Sequence, residues 1–504
     1  MDEQTIILGI SIAYLAVMLG IGVWANRRMA SAKEFLVAGQ SLGFFVMAMA
    51  SFSSIQSGWG MVGATGTTSS WGIGAFVAAA LLPPLGFTLA WFLLGGRLRA
   101  IAQRHEVYSI PDIVRVRYSS RSAHFSMSVA MIIGAIGYMT AQVVASGVIM
   151  SLLLGISLGT ATLLGALVVA AYTIAGGMLA AVWTDLVQGI LMIAMSVVVF
   201  VVALGVGGGW GSTMATITAS DPDLLALDGV KPAAWIGANA IMILLGVVAQ
   251  PQLIHKFLML RSSRELKWGA TVAAIGYATT TLFSLGVGLG TRAAIADGRM
   301  AEPGVVDDTA TSFLDTFTSP LVAGLALTAL LAAIMSSASS FITIGASALT
   351  RDLMSSLGLR IRHELAWNRV ASLAVVAAAL YVGLYLDQII YLLGAIGWAA
   401  FAAAIFGPVV LGIYWRRGTG VATTVSVVVG LGLNIVLTLL TSAGWTPPPT
   451  FFSGGVVVCA GILVYIGVSA CTRSAADRER FDGLYPAAAP PGPDRVASTS
   501  QPLA

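Results

Sequence analysis

The chain has 504 residues, of which 57% are hydrophobic and only 10% are charged, and its formal net charge is +4. Soluble globular domains carry about 25% charged residues, so this composition excludes a water-soluble enzyme and requires a surface that faces lipid. Long, continuous apolar segments exclude a membrane β-barrel, whose strands alternate polar and apolar residues. At about 20 residues per crossing, the apolar residues allow roughly 13 transmembrane helices.

Hydrophobic runs bounded by glycine, proline and charged residues predict these helices in chain order. They are expected at residues 5–25, 41–66, 72–95, 124–154, 158–177, 183–206, 233–254, 268–291, 319–349, 370–386, 389–414, 418–441 and 451–470. The first run is too long for a secretory signal and is preceded by acidic residues, so we expect it to be retained. Cys459 and Cys471 offer no disulfide framework.

Lysine and arginine are distributed unevenly over the predicted loops. With the N-terminus outside, 23 of the 26 basic residues fall on the inner side, and the exceptions are Lys231, Arg292 and Arg299. The positive-inside rule therefore predicts a multi-pass protein of the cell membrane, with its N-terminus outside and its C-terminus in the cytoplasm. The polar, Pro- and Ala-rich segment 471–504 is predicted to be a disordered cytoplasmic tail.

The second predicted helix is interrupted by the polar, glycine-rich sequence ASFSSIQSGWGMVGATG at residues 50–66. Unwound backbone at membrane depth is tolerated where it lines protein or a water-filled cavity, and its free carbonyls are natural cation ligands. A contact face of small residues between helices is the alternative. That alternative explains the glycines and serines but not Gln56.

Two polar features follow in the middle of the chain. Tyr138 and Gln142 lie one turn apart on a predicted helix and could line a cavity, although a tyrosine packed in the core is the commoner case. Asp185 is the one acidic residue of the 22 in an apolar context. A carboxylate at bilayer depth usually faces a partner, a cavity or an ion, and the alternative is an acid at the start of a helix near the cytoplasmic interface.

The helix predicted at 233–254 carries a second interruption, GVVAQPQ at residues 246–252. Pro251 removes a helical hydrogen bond, and the glutamines on either side of it are polar where lipid would favour apolar residues. Paired interruptions at corresponding positions of two halves indicate an inverted-repeat transporter with a binding site near the midplane.

The sequence AAIMSSASS at residues 332–340 places four hydroxyl groups on one helical face. The serines are Ser336, Ser337, Ser339 and Ser340, and Ala333 lies among them on the same face. Hard cations such as Na⁺ require several oxygen ligands, which this face supplies. The alternative is that each serine hydroxyl bonds a carbonyl of its own helix.

Other chemistries find no support in the sequence. It contains no GxxxxGK[ST] phosphate-binding loop, and its four histidines show no metal-ligand spacing. No catalytic pair lies within the predicted spans. We therefore expect a protein that is not an enzyme, that needs no cofactor and no nucleic acid, and whose partners are a small solute, Na⁺ and membrane lipid.

Several segments together resemble the sodium:solute symporter family, which includes bacterial sodium/proline and sodium/pantothenate permeases and the sodium/glucose cotransporters. They are FLVAGQSLG at Phe35, SGW at Ser57, GGRLR at Gly95, SIPDIVRVRY at Ser109, AGGMLAAVWTDLVQ at Ala175, QPQLIHKF at Gln250, AAIMSSASS at Ala332, SALTRDL at Ser347 and FGPVVLGIYW at Phe406. The resemblance covers about residues 5–470.

This resemblance implies an all-α polytopic membrane protein whose core is an inverted repeat of five plus five helices, the leucine-transporter type of architecture. The implied segments are an extra N-terminal helix and cytoplasmic loop (1–40), a first half (41–206), an extracellular loop (207–232), a second half (233–414), two C-terminal helices (415–470) and the tail (471–504).

The resemblance also implies sodium ligands. A first site would use carbonyl oxygens of Ser53, Gln56 and Ala333 together with hydroxyls of Ser336 and Ser337. Some members bind a second sodium ion, for which Asp185, Ser336, Ser339 and Ser340 match. The chain is thus expected to retain residues for two ions.

For the solute, Tyr138 and Pro251 match positions implicated in substrate contact, and the expected substrate-binding set is Ser57, Gly58, Tyr138, Gln142, Gln250 and Pro251. The sodium/proline permeases carry an aspartate where this chain has Ile55, and aromatic residues where it has Ile243 and Val247. These departures argue against proline itself and leave the solute open among small carboxylates and amino acids.

The expected function is secondary active, sodium-coupled uptake of a small organic solute by alternating access. A sodium-independent or proton-coupled permease or exchanger of the same fold is the alternative. A channel and a membrane sensor are further alternatives, although the short tail offers no signalling domain.

Overall fold

Helices and their connecting turns make up the protein in the computed structural model, which describes residues 3–28, 43–259, 266–359, 361–386 and 389–485. No β-strand occurs in these ranges. The segment FLVAGQSLG, which contributed to the family resemblance, lies outside the described residues except for its last residue, Gly43.

Nineteen α-helices follow one another in the described ranges. They are α1 (Glu3–Arg28), α2 (Phe44–Ile55), α3 (Ala64–Ala90), α4 (Gly96–Arg104), α5 (Ile110–Arg117), α6 (Arg121–Leu154), α7 (Leu158–Val206), α8 (Trp210–Ser220), α9 (Ala233–Val248), α10 (Pro251–Met259), α11 (Leu266–Ala296), α12 (Thr309–Phe317), α13 (Pro320–Ser347), α14 (Leu353–Ser356), α15 (Glu364–Tyr385), α16 (Ile390–Ile405), α17 (Gly420–Ser442), α18 (Ser453–Cys471) and α19 (Ala475–Asp482). Short π-helical turns extend several of them, at Trp59–Gly63, Trp91–Gly95, Ala348–Asp352 and Phe406–Leu411.

The apolar helices follow the predicted spans. Within the described ranges, 11 helical stretches are long and apolar enough to cross a membrane, and two shorter apolar helices, Phe44–Ile55 and Leu158–Ala171, fall on two other predicted spans. The number of crossings stays a prediction. One boundary differs, because α7 continues through the gap expected between residues 177 and 183. No proline interrupts the sequence between 158 and 206, and glycine alone does not end a helix.

A sharp bend inside α3 marks the predicted boundary between the second and third spans. Gly72 has φ 72°, a left-handed value that glycine adopts without steric penalty. A Cβ atom at this position would lie 2.1 Å from the carbonyl oxygen of Leu224. Glycine is therefore required here both for its backbone conformation and for the close approach of the following loop.

Both predicted interruptions are present. α2 ends at Ile55, after which Gln56 has an extended backbone (φ −67°, ψ 124°), and helical structure resumes around Trp59. α9 ends at Val248 and α10 begins at Pro251. Each interruption leaves backbone groups of a buried helix free for other partners.

The tail is ordered in its first part, so the prediction of disorder is wrong there. α19 packs against the segment between α5 and α6 and against the start of α17 through Asp477, which is only 5% exposed. Its carboxylate accepts hydrogen bonds from the backbone N–H of Ser119 at 2.8 Å and of Gly420 at 2.9 Å. Residues 486–504 lie outside the described residues.

Candidate functional site

The serine-rich face of α13 lies against the interrupted end of α2. Ser336 Oγ donates to the carbonyl oxygen of Ser53 at 2.8 Å and is 3.0 Å from the carbonyl oxygen of Ala333 in its own helix. Ser337 Oγ is 2.9 Å from the carbonyl oxygen of Ser54 and 3.2 Å from that of Gln56. These hydroxyls therefore bridge two helices, rather than bonding only within their own.

The oxygens expected for the first sodium site thus form two contacting groups on neighbouring residues of α13, Ser336 Oγ with the carbonyls of Ser53 and Ala333, and Ser337 Oγ with the carbonyl of Gln56. The side chains of Ser53, Gln56, Ser336 and Ser337 are fully buried, and Ser53 Oγ and both amide atoms of Gln56 have no hydrogen-bond partner. Neutral carbonyl and hydroxyl oxygens are hard ligands, and a set without a carboxylate suits a monovalent rather than a divalent cation.

The unwound residues that follow Gln56 contact α6. Ser57 Oγ lies 2.9 Å from the hydroxyl of Tyr138, and the backbone N–H of Gly58 donates to Oε1 of Gln142 at 3.0 Å. A Cβ atom on Gly58 would lie 2.6 Å from the Cβ of Ala145, so only glycine allows this approach. Four of the six residues expected to bind substrate therefore form two hydrogen-bonded pairs, Ser57 with Tyr138 and Gly58 with Gln142, and all four are buried.

The other two expected residues, Gln250 and Pro251, form the second interruption. The Gln250 side chain is fully buried, and neither of its amide atoms has a partner. None of the hydrogen bonds of the described residues joins it to the group around Ser57. Pro251 acts as the first residue of α10, where its missing N–H costs no helical bond.

Aromatic rings pack beside the first interruption. The ring of Trp398 lies 4.8 Å from that of Trp59 and 5.8 Å from that of Tyr138. The Trp398 indole N–H is buried without a hydrogen-bond partner, and its nitrogen lies against Gly246 of α9. The sequence analysis missed Trp398, and an indole within an otherwise alanine-rich helix was the signal that could have found it.

Asp185, expected in a second sodium site, is fully buried and paired with a lysine. Its Oδ2 lies 2.9 Å from Lys256 Nζ, and the two side chains are 0% and 2% exposed. None of the hydrogen bonds in the described part of the chain joins Asp185 to the serines of α13. Ser339 Oγ instead donates to the carbonyl oxygen of Ser336 at 3.0 Å. The hydrogen bonds of the described residues include none made by the Ser340 side chain.

The pairing corrects the predicted end of the span at residue 254, which left His255 and Lys256 in a loop on the inner side. Both lie in α10 and are buried. Beyond the predicted end of this span the chain continues HKFLM, and all five of these residues are buried in α10. That apolar continuation was the signal available in the sequence.

A second charged cluster lies just beyond the C-terminal end of α13. Asp112, His124 and Asp352 each offer a ligand atom within 4.8 Å of the others. However, Asp112 is paired with Arg115 at 3.1 Å and with Arg351 at 2.9 Å. Their charges are thus already compensated, and the cluster is an ion-pair network that joins α5 to the end of the serine-rich helix.

Sequence comparisons identify the relatives of this chain. A family model described as the sodium:solute symporter family matches residues 35–430. The high-affinity proline transporter PutP of Bacillus subtilis (strain 168) is 30% identical over 431 residues, which are 83% of this chain and 89% of the relative. The sodium/proline symporter of Escherichia coli (strain K12) is 28% identical over 95% of this chain and 96% of the relative. The sodium/pantothenate symporter of Haemophilus influenzae is 27% identical over 85% and 90%.

Solved structures show the same fold. A Na⁺-coupled sialic acid symporter in a substrate-bound outward-open state matches with a TM-score of 0.75 at 18% identity, over 94% of this chain and 99% of that one. Mhp1, a nucleobase-cation-symport-1 family transporter in a closed conformation, matches with a TM-score of 0.54 at 15% identity, over 90% and 99%. The fold is therefore the leucine-transporter type expected from the sequence.

Proposed function

The chain belongs to the sodium:solute symporter family, and from this premise we propose that it couples the inward movement of Na⁺ to uptake of a small organic solute that carries a carboxylate. The observation that carries the proposal is the position of Gln56 between two sets of contacts. Its carbonyl oxygen accepts a hydrogen bond from Ser337, and the next two residues contact Tyr138 and Gln142.

The proposed sodium ligands are the carbonyl oxygens of Ser53, Gln56 and Ala333 and the hydroxyls of Ser336 and Ser337. Sodium would hold the end of α2 against α13, because ligands from both helices surround it. Since the backbone is continuous from Gln56 to Gly58, fixing one end of the unwound segment also fixes the other. Sodium would thereby raise the affinity for solute, and solute would raise the affinity for sodium by the same factor.

The proposed solute contacts are Ser57, Gly58, Tyr138, Gln142, Gln250 and Pro251, together with the ring of Trp398, which packs beside Tyr138. The half-helix that resumes at Trp59 directs its positive N-terminal end toward the interruption, which favours an anionic group of the solute. No Asp or Glu carboxylate of the described residues is hydrogen-bonded to Ser57, Gly58, Tyr138 or Gln142. Neutral hydrogen-bond donors and the positive N-terminal end of this half-helix thus favour a solute that carries a carboxylate.

The driving force is sufficient for accumulation. Moving one charge through 100 mV contributes about 2.3 kcal/mol, and a tenfold sodium gradient adds about 1.4 kcal/mol. One sodium ion could therefore sustain a roughly 500-fold gradient of a zwitterionic carboxylate such as an amino acid, and a roughly tenfold gradient of a monovalent anion, whose charge cancels the electrical contribution. The proposed cycle requires sodium, solute and lipid, and it needs neither a cofactor nor a chemical step.

We further propose that the two halves, 41–206 and 233–414, move against each other in alternating access. The orientation proposed from the basic residues, with the N-terminus outside, places α19 and the network around Asp112 on the cytoplasmic side. Release of sodium and solute to the cytoplasm would then require the contacts between α5 and the end of α13 to open.

Uptake into proteoliposomes tests the function. Radiolabelled pantothenate, proline, acetate, pyruvate and glucose would each be supplied with a gradient of Na⁺ or of choline. We expect one of the carboxylates to be taken up with Na⁺ and not with choline. Equal uptake under both conditions would contradict sodium coupling, and uptake driven by a proton gradient alone would identify a proton-coupled permease.

A further inference from the structure

We propose that the ammonium group of Lys256 takes the place of a sodium ion beside Asp185. The protein would then bind one sodium ion, at Ser336 and Ser337, and none at Asp185. This inference rests on the proposed sodium-coupled function and names its stoichiometry. It assigns to Lys256 the place that the sequence analysis gave to a second sodium ion.

The geometry places the lysine head group inside the proposed ion-binding region. Lys256 Nζ donates to Asp185 Oδ2 at 2.9 Å and to Ser54 Oγ at 2.5 Å. The carbonyl oxygen of the same Ser54 accepts a hydrogen bond from Ser337. The ammonium group is therefore one residue away from the ligands of the first sodium site, and both members of the ion pair are removed from water.

Charge balance argues against a further cation at Asp185. One buried carboxylate balances one positive charge, and Lys256 already provides it. A sodium ion in addition would place two positive charges against one negative charge in a region of low dielectric, where their repulsion is strong.

The ligand count leads to the same conclusion. Of the Asp185 oxygens, Oδ1 is without a partner, so a single oxygen remains for another cation. Of the serines expected at this site, Ser336 Oγ contacts the carbonyl oxygen of Ser53 and Ser339 Oγ that of Ser336, and no hydrogen bond of the described residues joins a serine of α13 to Asp185. A hard cation needs several oxygen ligands at once, and this arrangement does not supply them.

The second interruption explains how the lysine reaches this position. α10 begins at Pro251, and Lys256 lies five residues later, about one and a half turns into the new helix. From there its side chain contacts α2 through Ser54 and α7 through Asp185. Lys256 thus connects both interrupted helices through Ser54, and this cation stays attached to the chain while the sodium ion of the first site is released.

Equilibrium binding of ²²Na⁺ to the purified full-length protein tests this inference without knowledge of the solute. We expect wild type to bind one Na⁺ per chain with a Hill coefficient near one. Lys256→Gln removes the ammonium and adds an amide oxygen, so it is expected to bind two. The double variant Lys256→Gln with Asp185→Asn is expected to return to one, and Lys256→Arg to remain at one.

The outcomes separate this inference from the proposed function. Wild type that binds no Na⁺ would overturn the proposed function, whereas wild type that binds two would overturn only the inference. One ion bound by folded Lys256→Gln, as judged by size-exclusion chromatography, would also overturn it. If that variant does not fold, Asp185→Asn provides the test. The number of Na⁺ ions bound per chain stays at one, as in wild type, if Lys256 is the cation, whereas it falls from two in wild type to one in the variant if sodium binds at Asp185.

Discussion

The hydroxyl of Ser337 lies 3.2 Å from the carbonyl oxygen of Gln56, across the contact between α13 and the interrupted end of α2. Because Gln56 is followed directly by Ser57 and Gly58, this contact joins the proposed sodium ligands to the proposed solute contacts through one peptide segment. Separation of α13 from α2 would disturb both sets of residues at once.

Gly58→Ala is expected to abolish most of the uptake without unfolding the protein. The added Cβ would lie 2.6 Å from Ala145 Cβ and 2.9 Å from a side-chain carbon of Ile334, and overpacking of this kind costs about 1 to 3 kcal/mol. The unwound segment would have to move away from Gln142, so we expect at least a tenfold loss of solute affinity, about 1.4 kcal/mol. Gly159→Ala is the control, because no atom lies within 4 Å of the added Cβ.

The comparison of these two glycine variants is made by solute uptake and by size-exclusion chromatography of the purified proteins. Wild-type uptake by Gly58→Ala would show that the close approach of the unwound segment to α6 is not needed for binding.

Asp307 is expected to give the stability a pH dependence. It lies in the segment between α11 and α12, outside the membrane-spanning helices, and burial raises the pKa of its carboxyl group to about 6. Because this pKa exceeds the ordinary value of 3.8, the folded state holds the proton more tightly than the unfolded state. The free energy of unfolding should therefore fall as the pH rises from about 4 to about 6, by about 3 kcal/mol at most, and change little above that.

Asp307→Asn is expected to remove this part of the pH dependence, because an amide can still accept the hydrogen bond from the Ile390 N–H, now 2.9 Å from Oδ2. Melting temperatures of wild type and variant between pH 4 and pH 7.5 provide the measurement. Parallel curves for the two proteins would show that Asp307 is not responsible.

Asp477→Ala is expected to destabilise the protein by detaching α19. The change would remove the acceptor of two backbone N–H groups, and hydrogen bonds to charged groups contribute about 1.5 to 3 kcal/mol each. We expect a lower melting temperature and faster proteolysis of the C-terminal segment. Glu479→Ala, an exposed position on the same helix, is the control, and equal effects of both changes would contradict the docking.

The sequence was most informative where a local residue type conflicts with its surroundings. Gln56 and Pro251 stand in apolar runs, so both interruptions could be predicted without the fold, and the serine face of α13 follows from helical spacing alone. Lys256 could not be placed in this way, because a lysine at the end of an apolar run is also typical of a cytoplasmic loop. Its partner Asp185 is 71 residues distant in the chain.

The docking of α19 was missed for a similar reason. Asp477 is one of several charged residues in a polar segment, and its role depends on backbone N–H groups of Ser119 and Gly420 that only the fold brings close. The polar composition of this segment predicts that it is solvated, whereas its contacts with residues distant in the sequence hold α19 in a fixed position.

The sodium dependence of binding in Ser337→Ala tests the central claim most directly. The hydroxyl bridges α13 to the carbonyl oxygens of Ser54 and Gln56, so its loss is expected to raise the half-saturating Na⁺ concentration at least tenfold, about 1.4 kcal/mol. Thr343→Val is the matched control, because its hydroxyl bonds only the carbonyl of Ser339 in the same helix. In ²²Na⁺ binding to the purified proteins, weakened binding by Ser337→Ala alone is the predicted result, and an unchanged half-saturating concentration would contradict a sodium site at this contact.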